Sequence, residues 1–260
     1  MCHAKRVRMS ASHHLFRVER ARLMASLVLV SATIAGGGSM LLFGVFLFFG
    51  PLRLIHPGWS EPVTLAWDGL LSLVFFALHS GMLRRGFRER LARIIPPHYH
   101  GALYAILSGF ALTAVVVLWQ SSAIGLYALE GVPRWLVRGF FCLVMAGMAW
   151  GARALPSFDP MGLAAIRAHV RGKQPPPQHL VIRGPYLWVR HPLYLFSILL
   201  IWACPDVTAD RLLFNVLWTA WIYVGSILEE ADLVAEFGET YRDYQRRVPG
   251  LVPWRAPPGS

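Results

Sequence analysis

The chain has 260 residues, 55% of them hydrophobic and only 15% charged, with a mean hydropathy of +0.47. Average soluble chains carry about 25% charged residues, so an ordinary water-soluble domain is excluded, and intrinsic disorder, which needs low hydrophobicity, is excluded with it. The formal charge is nevertheless +11, with 25 Lys and Arg against 14 Asp and Glu. A basic, apolar chain of this kind reads as a polytopic membrane protein with cationic loops rather than a nucleic-acid binder.

Residues 1–23 form a basic N-terminal segment with Lys5, Arg6, Arg8, Arg17, Arg20 and Arg22. Four apolar segments follow within 24–155, at 24–49, 63–83, 101–119 and 136–155, each near the roughly 20 residues that a bilayer requires. The first is read as a span and not a cleaved signal peptide, because its apolar stretch is too long and no small-residue cleavage site follows it. Its Gly36-Gly37-Gly38 run weakens the helix, although a membrane tolerates glycine better than water does. A fifth apolar region, 192–228, is too long for one helix and is broken at Cys204-Pro205-Asp206. A helical hairpin is predicted there. The predicted fold class is all-α integral membrane, with about six transmembrane helices (four plus the hairpin) and a cytoplasmic amphipathic tail helix.

Basic residues alternate with these spans. Twenty-one of the 25 fall on the side of the N-terminus, the 84–93 loop, the 153–190 segment and the tail after 228, whereas Arg53, Arg134, Arg138 and Arg211 fall on the other. The positive-inside rule then predicts cytoplasmic N- and C-termini. Cys2, Cys142 and Cys204 lie far apart, so neither a metal site nor a disulfide framework is implied, and they read as small buried or terminal thiols.

The longest stretches outside the spans are 156–190 and the tail after 228. Gln174-Pro175-Pro176-Pro177-Gln178 is a stiff, extended connector, and Arg183-Gly184-Pro185-Tyr186 is a turn. Neither stretch is long enough for an independent domain. Chemistry on this side is therefore built from 156–253 against the membrane helices, leaving 254–260 as a terminal tail.

One block, from Gly184 to Tyr194, places Gly184, Tyr186, Val189, Arg190, His191 and Tyr194 where a loop enters the membrane. Pro192 suits a first helical turn, and a helix N-terminus is suited to a carboxylate. An interfacial belt of Tyr, Trp and Arg would use the same residues. A second block begins at Glu229-Glu230 and continues through Leu233, Phe237, Tyr241 and Tyr244, spaced as one face of a helix lying on the membrane. Paired carboxylates on the cation-rich side need partners, either nearby arginines or a cationic ligand. From Pro192 to Cys204 the helix would span about 20 Å, short of the hydrocarbon core of about 30 Å. Either it begins near Tyr186 with Pro192 as a kink, or the hairpin is thin or tilted. In both cases Arg190-His191 and Glu229-Glu230 meet at its mouth.

The run Arg190-His191-Pro192-Leu193-Tyr194, followed by Glu229-Glu230, Phe237-Gly238, Tyr241, Tyr244, Val248-Pro249 and Pro253, resembles the membrane methyltransferases of the isoprenylcysteine carboxyl and phospholipid N-methyltransferase type. The resemblance covers about 183–253. It implies an S-adenosylmethionine pocket to which Arg190, His191, Tyr194, Glu229 and Glu230 contribute. Glu229 or Glu230 would hold the ammonium or the ribose, and Arg190 or the helix N-terminus the carboxylate. Tyr186, Trp188 and Tyr194 would wall the adenine, with Gly184 and Val189 completing the cofactor-binding stretch. The glycine common two places after the tyrosine is Phe196 here, a ring that would narrow the cofactor cleft or the lipid entrance.

Toward the front, His79-Ser80-Gly81-Met82, Tyr104, Trp119-Gln120, Phe158-Asp159 and Gly162-Leu163 extend the likeness to about 65–253. Together with the two blocks they resemble bacterial methanethiol S-methyltransferases. This implies methyl transfer at the membrane to a small thiol such as methanethiol, giving dimethyl sulfide. Transfer to an isoprenylcysteine carboxylate or an amine lipid stays open, as does a haem-binding membrane isomerase with His79 as an axial ligand. A thiol acceptor reacts as its thiolate, from a pKa of about 8.5 or higher, so a base or cation would help. His79 is the candidate, sharing a helix face with Ser72 and Asp68, and a packing histidine is the other reading. Asp68 falls near the outer end, where it would reach water. Tyr241 or Arg242 would orient the acceptor. The expected partners are a small thiol and the lipid bilayer, with no nucleic acid and no metal.

Overall fold

The computed structural model describes residues 19–20, 22–55, 57–156, 158–174 and 179–255. Cys2, most of the basic N-terminal segment and most of the 174–178 connector lie outside the described residues. Among the described residues, five helices are long and apolar enough to cross a membrane. They are α1 (Arg22–Phe49), α2 (Glu61–Leu83), α4 (His100–Leu118, entered through a 3-10 turn at Pro97–Tyr99), α5 (Gly131–Ala154) and α8 (Ala209–Phe237). Between them lie α3 (Arg85–Leu91), α6 (Leu163–Val170) and the short apolar α7 (Pro192–Trp202), and α9 (Glu239–Arg247) follows α8.

The hairpin expected at 192–228 is α7 and α8. α7 has 11 residues, and it starts at Pro192 rather than reaching back to Tyr186. The residue before a proline is pushed out of the helical region, and His191 accordingly has φ −120° and ψ 61°. Gly184–Leu187 is a separate 3-10 turn, so the short hairpin is the one of the two alternatives that forms. Its bend carries a feature the sequence reading did not anticipate. Strands β1 (Gly125–Ala128) and β2 (Asp206–Thr208) pair antiparallel, with Tyr127 opposite Val207 and Ala128 opposite Asp206.

The chain divides into two compact units. One is drawn from the described parts of Met1–Met40, Met82–Phe110 and Asp159–Pro176. Its core is small: Ala25 and Ala32 of α1 against Ala102 and Ala105 of α4 and Ile166 of α6. Small residues let backbones approach closely where lipid supplies no hydrophobic drive. A Cβ on Gly109 would lie 2.4 Å from the Ala35 carbonyl oxygen, and one on Gly101 would lie 2.8 Å from the Gly162 Cα. The glycine run of α1 overlaps a π-helical turn at Thr33–Gly37, a single-turn bulge of the kind that adapts a long helix to its neighbours. Asp159, noted in the sequence, accepts from the Leu163 and Ala164 amides and so starts α6.

The other unit is drawn from Leu41–Gly81, Ala111–Phe158 and the described part of Pro177–Ser260. Its core is aromatic, with Phe46, Phe75, Phe76, Trp119, Phe214 and Trp218 buried together. The loop after α4 enters this core, and its amides need acceptors that lipid cannot supply. Carboxylates provide them. Asp68 Oδ1 accepts the Gln120 amide at 2.9 Å, Asp210 accepts Trp119 Nε1 and the Ser122 amide, both at 3.0 Å, and Glu61 accepts Ser122 Oγ at 2.7 Å. Asp68 was expected to reach water and is instead fully buried, because the loop it caps is buried with it.

Phe196 does not hang into an open cleft. Its ring lies in the seam between α7 and α5, where a Cβ on Gly147 would meet Phe196 Cε1 at 2.7 Å. Overpacking of a filled seam costs about 1–3 kcal/mol. Gly147→Val is therefore expected to lower the thermal unfolding temperature of the detergent-solubilised protein, and Phe196→Ala to restore part of the loss. A single substitution without effect would show that the seam is loose.

Candidate functional site

The two sequence blocks meet in the second unit. Arg190 and His191 precede α7, Glu229 and Glu230 lie in the C-terminal part of α8, and α9 folds back beside them. Arg190 Nε donates to Glu230 Oε1 at 2.8 Å, and its Nη2 donates to the same oxygen. Its Nη1 donates to the carbonyls of Gln245 and Val248. Four of the five guanidinium N–H groups are thereby used within the chain. His191 Nε2 lies 3.0 Å from Glu230 Oε1, and since a carboxylate only accepts, the proton sits on Nε2. Gln245 Nε2 donates to Glu230 Oε2 at 2.9 Å. Glu230 thus accepts three hydrogen bonds on Oε1 and one on Oε2.

The backbone repeats the tie. The Arg190 amide donates to the Pro249 carbonyl at 2.9 Å and the His191 amide to the Gly250 carbonyl at 3.1 Å. This gives the Val248-Pro249 pair its place: the carbonyls of this strap cover the Arg190-His191 turn. Gln245 and these carbonyls had no role in the sequence reading. Gln245 lies four residues after Tyr241, on the same side of a helix, which is the one signal that could have drawn attention to it.

The stripe of Leu233, Phe237, Tyr241 and Tyr244 is not one continuous helix. Gly238, with φ 57° and ψ −130°, ends α8 and starts α9, a positive φ that favours glycine. The face is still shared. Tyr241, Tyr244 and Val248 pack with Leu180, Leu233, Val234 and Phe237, so the aromatic side of the tail helix is buried against its own chain rather than laid on lipid. Tyr244 Oη donates to the Tyr186 carbonyl at 2.5 Å. Gly184 has φ 58° and sits so close to α5 that a Cβ would lie 3.3 Å from Trp150 Nε1. Val189 is buried and Trp188 exposed, while the Tyr194 ring stacks on His191, centroids 5.5 Å apart.

Two groups in this cluster keep unused hydrogen-bonding capacity among the described residues. The Glu229 side chain is 45% exposed, with His191 Nδ1 at 3.8 Å from its Oε2. The Tyr241 side chain is buried, 1% exposed, and its hydroxyl lies beside Arg190 without a hydrogen-bond partner of regular geometry among the described residues. Burial, reinforced by the Glu230 carboxylate and opposed by Arg190, pushes the Tyr241 phenol up to about 12. Burial raises Tyr186 and Tyr244 as well. At neutral pH Tyr241 is therefore a neutral hydrogen-bonding group and not a base. Arg242 is exposed, with its nearest acidic partner Glu239 on its own helix at 3.8 Å. His79, on α2, stacks on Phe75 at 5.1 Å, and Phe75 stacks on Trp218 of α8 at 5.0 Å.

No family model matches the chain, and no solved structure matches it. Curated relatives do. A methanethiol S-methyltransferase from Pseudomonas sp. is 35% identical over 205 residues, 76% of this chain and 77% of the relative. Methanethiol S-methyltransferase 2 of Bradyrhizobium diazoefficiens is 37% identical over 186 residues, 71% of each. Nurim of Rattus norvegicus is more distant, 27% identical over 65% of this chain and 68% of its own.

The hydrogen-bond geometry separates the tyrosines. Tyr244→Phe loses a satisfied bond and is expected to cost about 0.5–1.5 kcal/mol of stability. Tyr241→Phe deletes an unpartnered hydroxyl and should be near neutral by the same thermal unfolding measurement. The raised phenols also fix a sign with pH. The folded chain holds protons that an unfolded phenol releases near about 10, so this contribution is intact below that pH and is lost as pH rises through about 12. Tyr241→Phe is expected to lessen the alkaline loss, read by unfolding between those limits.

Proposed function

Since the chain belongs to the methanethiol S-methyltransferase family, we propose that it methylates a small thiol, methanethiol, with S-adenosylmethionine as donor, and releases dimethyl sulfide. The observation that carries this reading is the 35% identity over 205 residues to a protein of that name. Prenylcysteine and amine-lipid acceptors and the haem reading of His79 have no comparable support.

The Arg190 cluster suits a donor that carries charges of both signs. S-adenosylmethionine, when bound, supplies an electrophilic methyl group on a sulfonium centre. In this reading Glu229 receives the ligand's cationic amine, as the more exposed and less engaged of the two carboxylates. Tyr241 meets a polar atom of the ligand with its unpartnered hydroxyl. Arg190 and Glu230 hold the walls: they join the α7 entrance, α8 and the strap at 248–250. Tyr194 and His191 offer a stacked aromatic face at the same entrance. His79 is assigned to the acceptor, as the imidazole that takes the thiol proton when the thiolate forms. Arg242, on the exposed side of its helix, is left as a group that attracts or orients the acceptor from outside the cluster. The basic side of the chain, with both termini, faces the cytoplasm of a bacterial inner membrane, where the donor is made.

Purified protein supplied with S-adenosylmethionine and methanethiol is expected to release dimethyl sulfide, measured in the headspace. Methylation of a prenylcysteine or an amine lipid with no dimethyl sulfide would overturn the acceptor. Glu229→Gln should raise the KM for the donor about tenfold, the loss of one charged hydrogen bond, with unchanged thermal stability. Glu230→Gln should lower stability first. His79→Gln should lower kcat at neutral pH, and the deficit should narrow as pH approaches about 8.5 and above, where thiols ionise unaided.

A further inference from the structure

α7 ends at Trp202, and the chain then bends through Cys204 and Pro205 into β2. Its 11 residues rise about 16 Å, so the bend lies well away from the Arg190–Glu230 pair at the other end. A cavity of about 240 Å³ opens at the bend, with Arg53, Arg138, Cys204 and Arg211 in its lining and Leu47, Phe48 and Phe49 of α1 along one wall.

The two acids of the lining are already committed. Arg134 holds Asp206 by two bonds of 2.7 and 2.8 Å, and Asp210 caps the loop after α4. Arg53, Arg138 and Arg211 make no ion pair among the described residues. Arg211 is 5% exposed. Its Nη2 donates to the Leu47 and Ile201 carbonyls at 3.2 and 3.1 Å, while its buried Nε has no hydrogen-bond partner among the described residues. The Arg138 guanidinium lies 4.1 Å over the Phe48 ring, and its buried Nη1 likewise has no partner among them. Arg53 holds a φ of 53°, rare for a residue with a side chain, with its Nε turned to Ser121 Oγ at 3.3 Å.

A buried charged donor without an acceptor is costly. Two beside one cavity, on planar guanidinium forks, match an oxyanion better than any neutral ligand. The surroundings narrow the source. α1, α5 and α8 all have membrane-spanning length, and Phe49 and Trp135 of α1 and α5 are exposed apolar side chains of the type that meets acyl chains and headgroups at an interface. We propose that this cavity is a phosphate oxyanion site, filled by the phosphodiester of an anionic membrane lipid.

The full-length protein in maltoside detergent is titrated by calorimetry with dioctanoyl phosphatidylglycerol and, separately, with inorganic phosphate. Saturable lipid binding is expected, weakened about tenfold or more by Arg138→Gln and by Arg211→Lys, the effect of one charged hydrogen bond. Arg85→Gln, which removes the same charge from an exposed pair with Glu89, should leave it unchanged. Phosphate binding with the same arginine dependence would support the site and assign a soluble source, whereas binding of the lipid alone assigns the headgroup. No saturable binding of either, or binding indifferent to both arginine substitutions, overturns the proposal. Should a variant aggregate, photoreactive phosphatidylglycerol is crosslinked to the wild-type protein. Adducts concentrated at 47–53, 138 and 204–211 support the site, and adducts spread evenly along the spans overturn it.

Discussion

The arrangement at the entrance of α7 depends on one partly buried ion pair, Arg190 with Glu230. Where water reaches the two charges only in part, removing one partner leaves the other incompletely solvated and is destabilising. The pair therefore fixes where its neighbours go. Arg190 draws the Gln245 and Val248 carbonyls onto its remaining N–H groups, and Glu230 draws in His191 and Gln245. Through these bonds α7, α8, α9 and the strap at 248–250 become one cluster, although 40 residues separate the two charges in sequence.

The same accounting explains the opposite end of α7. A chain in lipid has no water with which to satisfy a backbone that leaves the helix, and here the loop after α4 does so inside an aromatic core. Glu61, Asp68 and Asp210 accept its N–H groups, which is why so apolar a chain carries acids on spanning helices and buries two of them. Once these acids are spent on the backbone, and Asp206 on Arg134, the arginines near the bend are left in surplus. Charge that helix counting assigns to the outer loops thus becomes a property of one cavity.

Membership of a methyltransferase family and the geometry of the cluster together divide the motif residues by task. Arg190, Glu230, Tyr244 and Gly184 are used by the fold: their polar atoms or their backbone freedom are already engaged. Glu229 and Tyr241 retain unused capacity. Phe196 fits this picture. The ring fills the seam against Gly147 rather than the entrance, so its departure from the family pattern is answered on α5.

Sequence alone determined what depends on local composition and on the solvent. The length of apolar runs set the spanning helices, and the break at Cys204-Pro205-Asp206 set the hairpin. The residue types at 190–194 and 229–230 marked where charges of both signs must meet. Tertiary structure decided what depends on which groups find each other. It split the tail stripe at Gly238 while keeping its face in one cluster, paired β1 with β2 across the bend, and buried Asp68 under a loop 52 residues away. It also separated Glu229 from Glu230, adjacent residues that a motif cannot tell apart. The physical reason is common to these cases. A hydrogen bond or ion pair is made once, and only the folded chain shows which donors and acceptors have been used and which remain.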